Sequence, residues 1–578
     1  MKQENKSRLS SFPKAKPTPI SLISQRADQT LQKKWVELTF VGILFVIALL
    51  IRLSFLKYFR ASLSGDAAIY AKIAWGIKNG HGLHWWSVVW SPFYPFMTFL
   101  FSLLTGSLET AAFTVSLFWG SLIVVPFFFL AKRIFNYQAA YIGSVLVAFF
   151  PALVVISAIP LSEATYTLFF LVTVLFGWLL VSGRSFLSAL AFGIFAGICY
   201  LTRPESLVAF VFMLLVFGLV EIKGKPGRKP HSLMLILISL LGFLILAFPY
   251  VNFMHSQTGH WILSGKTAHN ILKQRAYSNS LNYNQQRRAF AEVLDGLTPQ
   301  GEIKGKVLLG EESMLSFLSA PGFLTDYVNR TIAGAKQMNL FFLPFLLLSL
   351  SYMFSWKVDH QGWKERVFLL SAFSPMLTMP VFFVPAGRLI EPYAPLLILL
   401  SVQGLLNVRK AAISVQKNPK PNLGFSFGSF AIILTVVVLS LFSLAKADRM
   451  AKDYRSTFEA LNSESDEFKK LGLWADQILP RDATVMFLSG DSFFFYCNRV
   501  TFTVPFASYD RMIEFARRNR IGYLLVSLGK EASWRNDLVF LLEPLKDSSK
   551  TPQDPNVSMI EIYKSSSGLG AVLYKFAW

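Results

Sequence analysis

Long apolar runs separated by short basic connections make up most of the first 446 residues of this 578-residue chain. Runs of 17 to 23 residues recur, and each is long enough to cross a hydrocarbon core of about 30 Å. They fall at about 35–56, 109–131, 139–158, 161–181, 186–202, 204–221, 232–252, 339–356, 366–384, 389–407 and 425–446, which makes eleven expected spans. The stretch Pro92–Leu104 is apolar but short and opens with Pro92 and Pro95, so it reads as an interfacial or re-entrant helix. Past residue 446 the pattern changes. Thr457–Ile478 has helical periodicity, and Ala483–Leu488, Tyr523–Ser527, Met559–Lys564 and Ala571–Phe576 read as strands. A basic helix, Tyr509–Arg520, lies among them.

The expected architecture is a polytopic α-helical membrane protein with a small C-terminal soluble α/β domain. Residues 1–34 are expected to be a disordered basic tail, 35–446 the transmembrane domain, and 447–578 the soluble domain. Composition agrees: 53% of residues are hydrophobic and only 16% are charged. The formal net charge of +22 would suggest a nucleic-acid partner in a soluble protein. Here much of the excess sits in short loops, so no nucleic-acid partner is expected. With eleven spans and the N-terminus inside, the pieces 1–34, 132–138, 182–185, 222–231, 357–366 and 408–424 are cytoplasmic. They carry 8, 2, 1, 4, 3 and 4 Lys or Arg. The short opposite connections hold only Arg203 and Arg388, as the positive-inside rule requires. Segments 57–108 and 253–338 and the C-terminal domain then lie outside. Cys199 sits in a hydrophobic run and Cys497 in the tail, so no disulfide framework is expected. The first span is too long for a signal-peptide core and reads as retained. Gly193-x-x-x-Gly197 suits close helix packing in lipid.

That topology collects charges at one water–lipid boundary. Asp66 follows the first span in Ser64-Gly65-Asp66-Ala67-Ala68-Ile69-Tyr70, and Glu163 opens the fourth. Arg203 and Glu205 flank Pro204, and Arg388 and Glu391 bracket the start of the tenth. Charge at this depth marks a functional site by default. Each residue also has a plainer reading. Asp66 suits a helix cap, Glu163 a helix N-terminus, and Arg203 with Glu205, or Arg388 with Glu391, a local ion pair. His81 and His84 are three apart with no third ligand, which fits a structural or substrate-contacting role better than a metal site. Guanidinium groups suit a phosphate. A carboxylate suits removal of a proton from an attacking hydroxyl, or a divalent ion that neutralises a phosphate leaving group. Trp85, Trp86, Trp90, Phe93 and Tyr94 suit a membrane belt or stacking on a sugar ring.

In their order and sidedness these residues resemble the GT-C glycosyltransferases, in the branch that uses polyprenyl-phosphate sugars. That branch includes the protein O-mannosyltransferases and the lipid A aminoarabinose transferases. The resemblance runs from Asp66 to about Tyr393. It rests on Asp66 with Tyr70, Asn79-Gly80-His81-Gly82, Ser91-Pro92-Phe93-Tyr94-Pro95, Ala131-Lys132-Arg133-Ile134-Phe135, Glu163, Leu201-Thr202-Arg203-Pro204-Glu205, and Arg388 ahead of Pro392-Tyr393-Ala394-Pro395. It implies transfer, with inversion, of a sugar from a polyprenyl-phosphate donor to a lipid, glycan or protein acceptor. The reaction would occur at the outer face of a plasma (inner) membrane, in a monomer, with a divalent metal left open. Asp66 and Glu163 would be the catalytic acids. Arg203 and Arg388 would hold the donor phosphate, and Tyr70, His81, His84, Tyr94, Glu205 and Tyr393 would line the site. The chain departs from the aminoarabinose transferases where their Lys-Pro-Pro motif is replaced by Trp90-Ser91-Pro92; Lys266 is the candidate substitute. The alternative class, a secondary transporter or lipid flippase, would show broken helices, midplane polar groups and repeated halves, none of which is evident in the sequence.

Overall fold

The structure, a computed structural model, describes residues 33–59, 62–80, 86–222, 229–278, 283–304, 343–354, 362–376, 387–415, 424–488, 491–528, 535–566 and 568–578, with short pieces between 308 and 332. His81 and His84 lie outside the described residues, as does the side chain of Arg388.

The chain opens with α1 (Lys34–Phe59), whose buried face Val41, Leu44, Ala48, Arg52 and Phe55 recurs at helical spacing. Its opposite face leaves Leu38, Ile43, Val46, Leu50 and Leu53 exposed, as a helix in lipid requires. Helix α2 (Asp66–Lys78) and the short α3 (Phe93–Thr105) follow. Thirteen residues give α3 a length of roughly 20 Å, too little to span. It stops at Gly106, whose φ of 74° is the left-handed conformation glycine supplies, and Ser107 caps the next helix.

That next rod is α4 (Leu108–Leu122) and α5 (Val124–Ile134), followed by α6 (Tyr137–Phe149) and α7 (Pro151–Ala158). The span expected at 139–158 is therefore not continuous: α6 and α7 bend by 51°. Pro151, at the first position of α7, has no N–H to continue the ladder. The fully buried guanidinium of Arg52 fills the break. It donates to the carbonyls of Ala48 and Ala148, both at 3.1 Å, and to Ser157 Oγ at 3.2 Å.

Helices α8 (Ser162–Gly183), α9 (Phe186–Thr202), α10 (Ser206–Ile222) and α11 (Lys229–Thr258) complete the first half of the bundle. A Cβ on Gly193 would stand 2.0 Å from the Ser239 carbonyl, so α9 and α11 touch backbone to backbone there. The polar segment after α11 contributes α12 (Gly265–Ser278) and α13 (Tyr283–Leu294). Then come α14 (Leu343–Met353), α15 (Trp363–Ala372), α16 (Gly387–Ile390) and α17 (Ala394–Val415). Among the described residues four helices are long and apolar enough to cross a membrane, or five if the bent pair is one span.

Helix α18 (Gly424–Ile478) runs 55 residues without interruption, roughly 80 Å, from the bundle into the C-terminal domain. The expected boundary at 447 falls inside it. The domain contains β1 (Thr484–Phe487), α19 (Asp491–Tyr496), β2 (Val500–Thr503), α20 (Tyr509–Arg518), β3 (Tyr523–Ser527), β4 (Val557–Lys564) and β5 (Gly570–Phe576). The sheet order is β2-β1-β3-β5-β4, parallel through the first three strands and antiparallel thereafter. The four strands and the helix read from the sequence are all present, β3 with the expected ends and the others shifted by one or two residues; β2 and α19 are additional.

Candidate active site

Asp66 is the first residue of α2, immediately after Gly65, which occupies the cap position with φ 50°. A carboxylate in a first turn is favoured by the helix dipole. The stripe Ala67, Ala68, Tyr70, Ala71 and Ala74 packs α2 into the protein and leaves Asp66 half-buried at its tip. Tyr70 fixes the orientation: its hydroxyl lies 3.4 Å from Ser162 Oγ, and its ring meets Trp90 at 5.7 Å and Tyr94 at 5.2 Å. The Tyr94 hydroxyl donates to the Ala112 carbonyl at 2.9 Å. Burial raises the Tyr70 phenol pKa, and the nearby Asp66 charge adds to that.

The second cluster forms where α9 ends. Arg203 precedes Pro204 and is extended, as a residue before proline prefers. Its Nε donates to Glu205 Oε1 at 2.6 Å, and its Nη1 stands 3.7 Å from Glu163 Oε1. The guanidinium also lies over the Tyr166 ring at 5.4 Å, and the Tyr166 hydroxyl meets that of Tyr393 at 2.8 Å. All five side chains are buried. The local Arg203–Glu205 pair is thus part of a larger group that includes Glu163. Arg203 Nη1 makes no hydrogen bond among the described residues.

The third contribution comes from the start of α12. A Cβ on Gly265 would stand 2.4 Å from the Val88 carbonyl, so the two polar connections touch where only glycine fits. Tyr250 donates to the Ser87 carbonyl at 2.8 Å and Tyr200 to that of Leu263 at 2.6 Å, fixing both connections to the bundle. Lys266 Nζ consequently sits 4.5 Å from the Trp90 ring centroid. Burial lowers the pKa of this ammonium, and the charges of Asp66, Glu205 and Glu163 oppose that effect. His269, one turn on, is driven down to about 4 by burial and by Lys273 and Lys266. It was missed in the sequence, although the Lys266-x-x-His269 spacing puts it on the same helical face as Lys266.

The structure therefore brings Asp66, Tyr70, Glu163, Arg203, Glu205 and Lys266 into one electrostatic neighbourhood, with Tyr94 and Tyr393 bracing its walls. Arg388 lies in α16, three residues before Glu391. Glu391 and Glu163 both line an apolar cavity of about 190 Å³ walled by Val155, Ile156, Met450 and Tyr454. Two of the site's carboxylates are engaged by Arg203. Among the described residues no three of His, Cys, Asp or Glu assemble into a metal site.

The fold is similar to that of solved membrane glycosyltransferases of the GT-C type. ArnT from Cupriavidus metallidurans, solved bound to undecaprenyl phosphate, aligns over 94% of this chain and 98% of its own, with 13% identity and a TM-score of 0.54. The oligosaccharyltransferase AglB from Archaeoglobus fulgidus, in complex with an inhibitory peptide and a dolichol-phosphate, aligns over 93% of this chain and 74% of its own (12% identity, TM-score 0.51). Residues 90–249 match the family model described as dolichyl-phosphate-mannose-protein mannosyltransferase. No curated protein matches. Fold and family match together bear out the resemblance read from the sequence.

Proposed function

We propose that the chain transfers a sugar from a polyprenyl-phosphate donor to an acceptor at the outer face of the plasma membrane, with the N-terminus cytoplasmic and about eleven spans. The observation that carries this reading is the Lys266 ammonium over Trp90, whose ring meets Tyr70 one helical turn from Asp66. A half-buried cation in the same neighbourhood as a carboxylate suits a phosphate leaving group next to the group that takes a proton.

In this reading Asp66 accepts the proton of the acceptor hydroxyl. The acceptor oxygen bonds to the anomeric carbon as the bond from that carbon to the phosphate oxygen breaks, and the configuration inverts. The charge developing on the leaving phosphate meets Lys266 and Arg203 in a water-poor site, where fixed charges act most strongly. Lys266 takes the place of the lysine missing at Trp90-Ser91-Pro92. Glu163 and Glu205 hold the Arg203 fork in position, and Trp90 offers a flat face to a sugar ring. Arg388, His81 and His84 belong to the same proposal as further donor-side ligands.

Binding of undecaprenyl phosphate to the purified protein, followed by native mass spectrometry, tests the phosphate site. Lys266→Met is expected to weaken retention at least tenfold and Lys266→Arg to preserve most of it. Equal retention by wild type and Lys266→Met would remove Lys266 from the reading.

A further inference from the structure

The C-terminal domain grips the segment that leads into Asp66 and the segment after α13, which packs on the helix that carries Lys266. Three residues before Asp66, Leu63 has both backbone groups bound by this domain. Its N–H donates to the Tyr496 hydroxyl at 3.0 Å, and its carbonyl accepts from Ser492 Oγ at 2.8 Å. Further along α2, Lys72 donates to the Arg499 carbonyl and Trp75 Nε1 donates to Asn498 Oδ1. Asn498 has φ 52°, a left-handed conformation that costs energy outside glycine, though least for Asn and Asp. Behind it the Arg499 side chain is tied to Asp476 and to the Leu479 carbonyl, so this edge is fixed to the end of α18.

The second grip lies beyond α13. Phe506 N–H donates to the Asp295 carbonyl at 2.8 Å, Gly296 pairs with Phe506, and Leu297 is buried against Met486, Val504 and Met512. Arg511 donates to the Thr298 carbonyl. The segment is linked back to Lys266 through α12, where His269 meets Phe290 of α13 edge to face at 5.0 Å.

We infer that the C-terminal domain is a positioning element of the catalytic centre, holding Asp66 and Lys266 in register through Tyr496, Trp75 and Asn498 on one side and the 295–298 segment on the other. This rests on the proposed function. Charged groups offset by about 1 Å lose most of their effect on a transfer step, so a remote clamp reaches the rate through geometry alone.

Two mild variants of the full chain, Tyr496→Phe and Trp75→Phe, test it. Each removes one hydrogen-bonding atom or group at the seam and keeps an aromatic ring. Hydrogen exchange of residues 62–78 is expected to rise at least tenfold in each, with the bundle helices unchanged. Consumption of undecaprenyl-phosphate-mannose, with host membranes as acceptor, is expected to fall at least tenfold in kcat with KM within twofold. Asn498→Asp, which keeps the acceptor, is expected to retain activity that Asn498→Ala loses. Faster exchange with an unchanged kcat would make the seam merely structural and overturn the inference; unchanged exchange would overturn it as well. If Asp66→Asn turns over like wild type, the proposed function fails, while the exchange data still decide whether the domain holds the segment.

Discussion

At the scale of single residues, the account depends on where charge is placed. Asp66 and Lys266 are 200 positions apart, and nothing local in the sequence pairs them. Asp66 stood out because a carboxylate just past a span is costly. Lys266 was legible only as a candidate, since its position depends on Gly265 touching Val88 and on Tyr200 and Tyr250 holding two connections. Arg203 and Glu205 invited a pairing from their spacing alone; that Glu163 joins them required the fold. We predict that Glu205→Gln, which removes a bonded carboxylate from a buried guanidinium, costs about 3–5 kcal/mol of stability, the range for breaking a buried pair. Thermal unfolding in detergent would show it, and an unchanged midpoint would place Arg203 in a wetter setting than the structure gives it.

At the scale of elements, the break between α6 and α7 was foreshadowed by Pro151, yet the run reads as one span because hydropathy does not register a missing N–H. Arg52 compensates by reaching three acceptors at once. An Arg52→Lys variant keeps the charge but cannot span Ala48, Ala148 and Ser157 together. It is expected to lose about 1–3 kcal/mol, the cost of orphaned buried groups, measurable as a lower unfolding midpoint. The join between Asp295 and the C-terminal domain should respond to pH. Burial first, and then Asp491, raise the Asp295 pKa from 3.8 to about 6. A raised carboxyl contributes stability below its unfolded pKa and loses it as pH rises through the folded value. Asp295→Asn should therefore be more stable than wild type at pH 7.5, with the difference vanishing near pH 4. A constant difference across that range would assign the effect to something other than this proton.

At the scale of the whole molecule, the division into an apolar bundle and a mixed α/β domain was legible because lipid and water impose different periods. The continuity of α18 was not, because its apolar pattern gives way to a charged one partway along while the backbone keeps its helix. The edge strand β2, half-buried along its length, has only four residues over which its alternation could be read. The fold brings Asp66 and Lys266, from connections far apart in the chain, into one neighbourhood, where the proposal makes Asp66 the proton acceptor. The most direct test is turnover of a radiolabelled polyprenyl-phosphate sugar, mannose first, by the purified chain in proteoliposomes supplied with host envelope acceptors. The account predicts labelled acceptor with one polyprenyl phosphate released per sugar transferred, and a fall of about a hundredfold or more for Asp66→Asn at normal protein levels. Wild-type protein that leaves every donor intact, or an Asp66→Asn variant that transfers as fast as wild type, would contradict it.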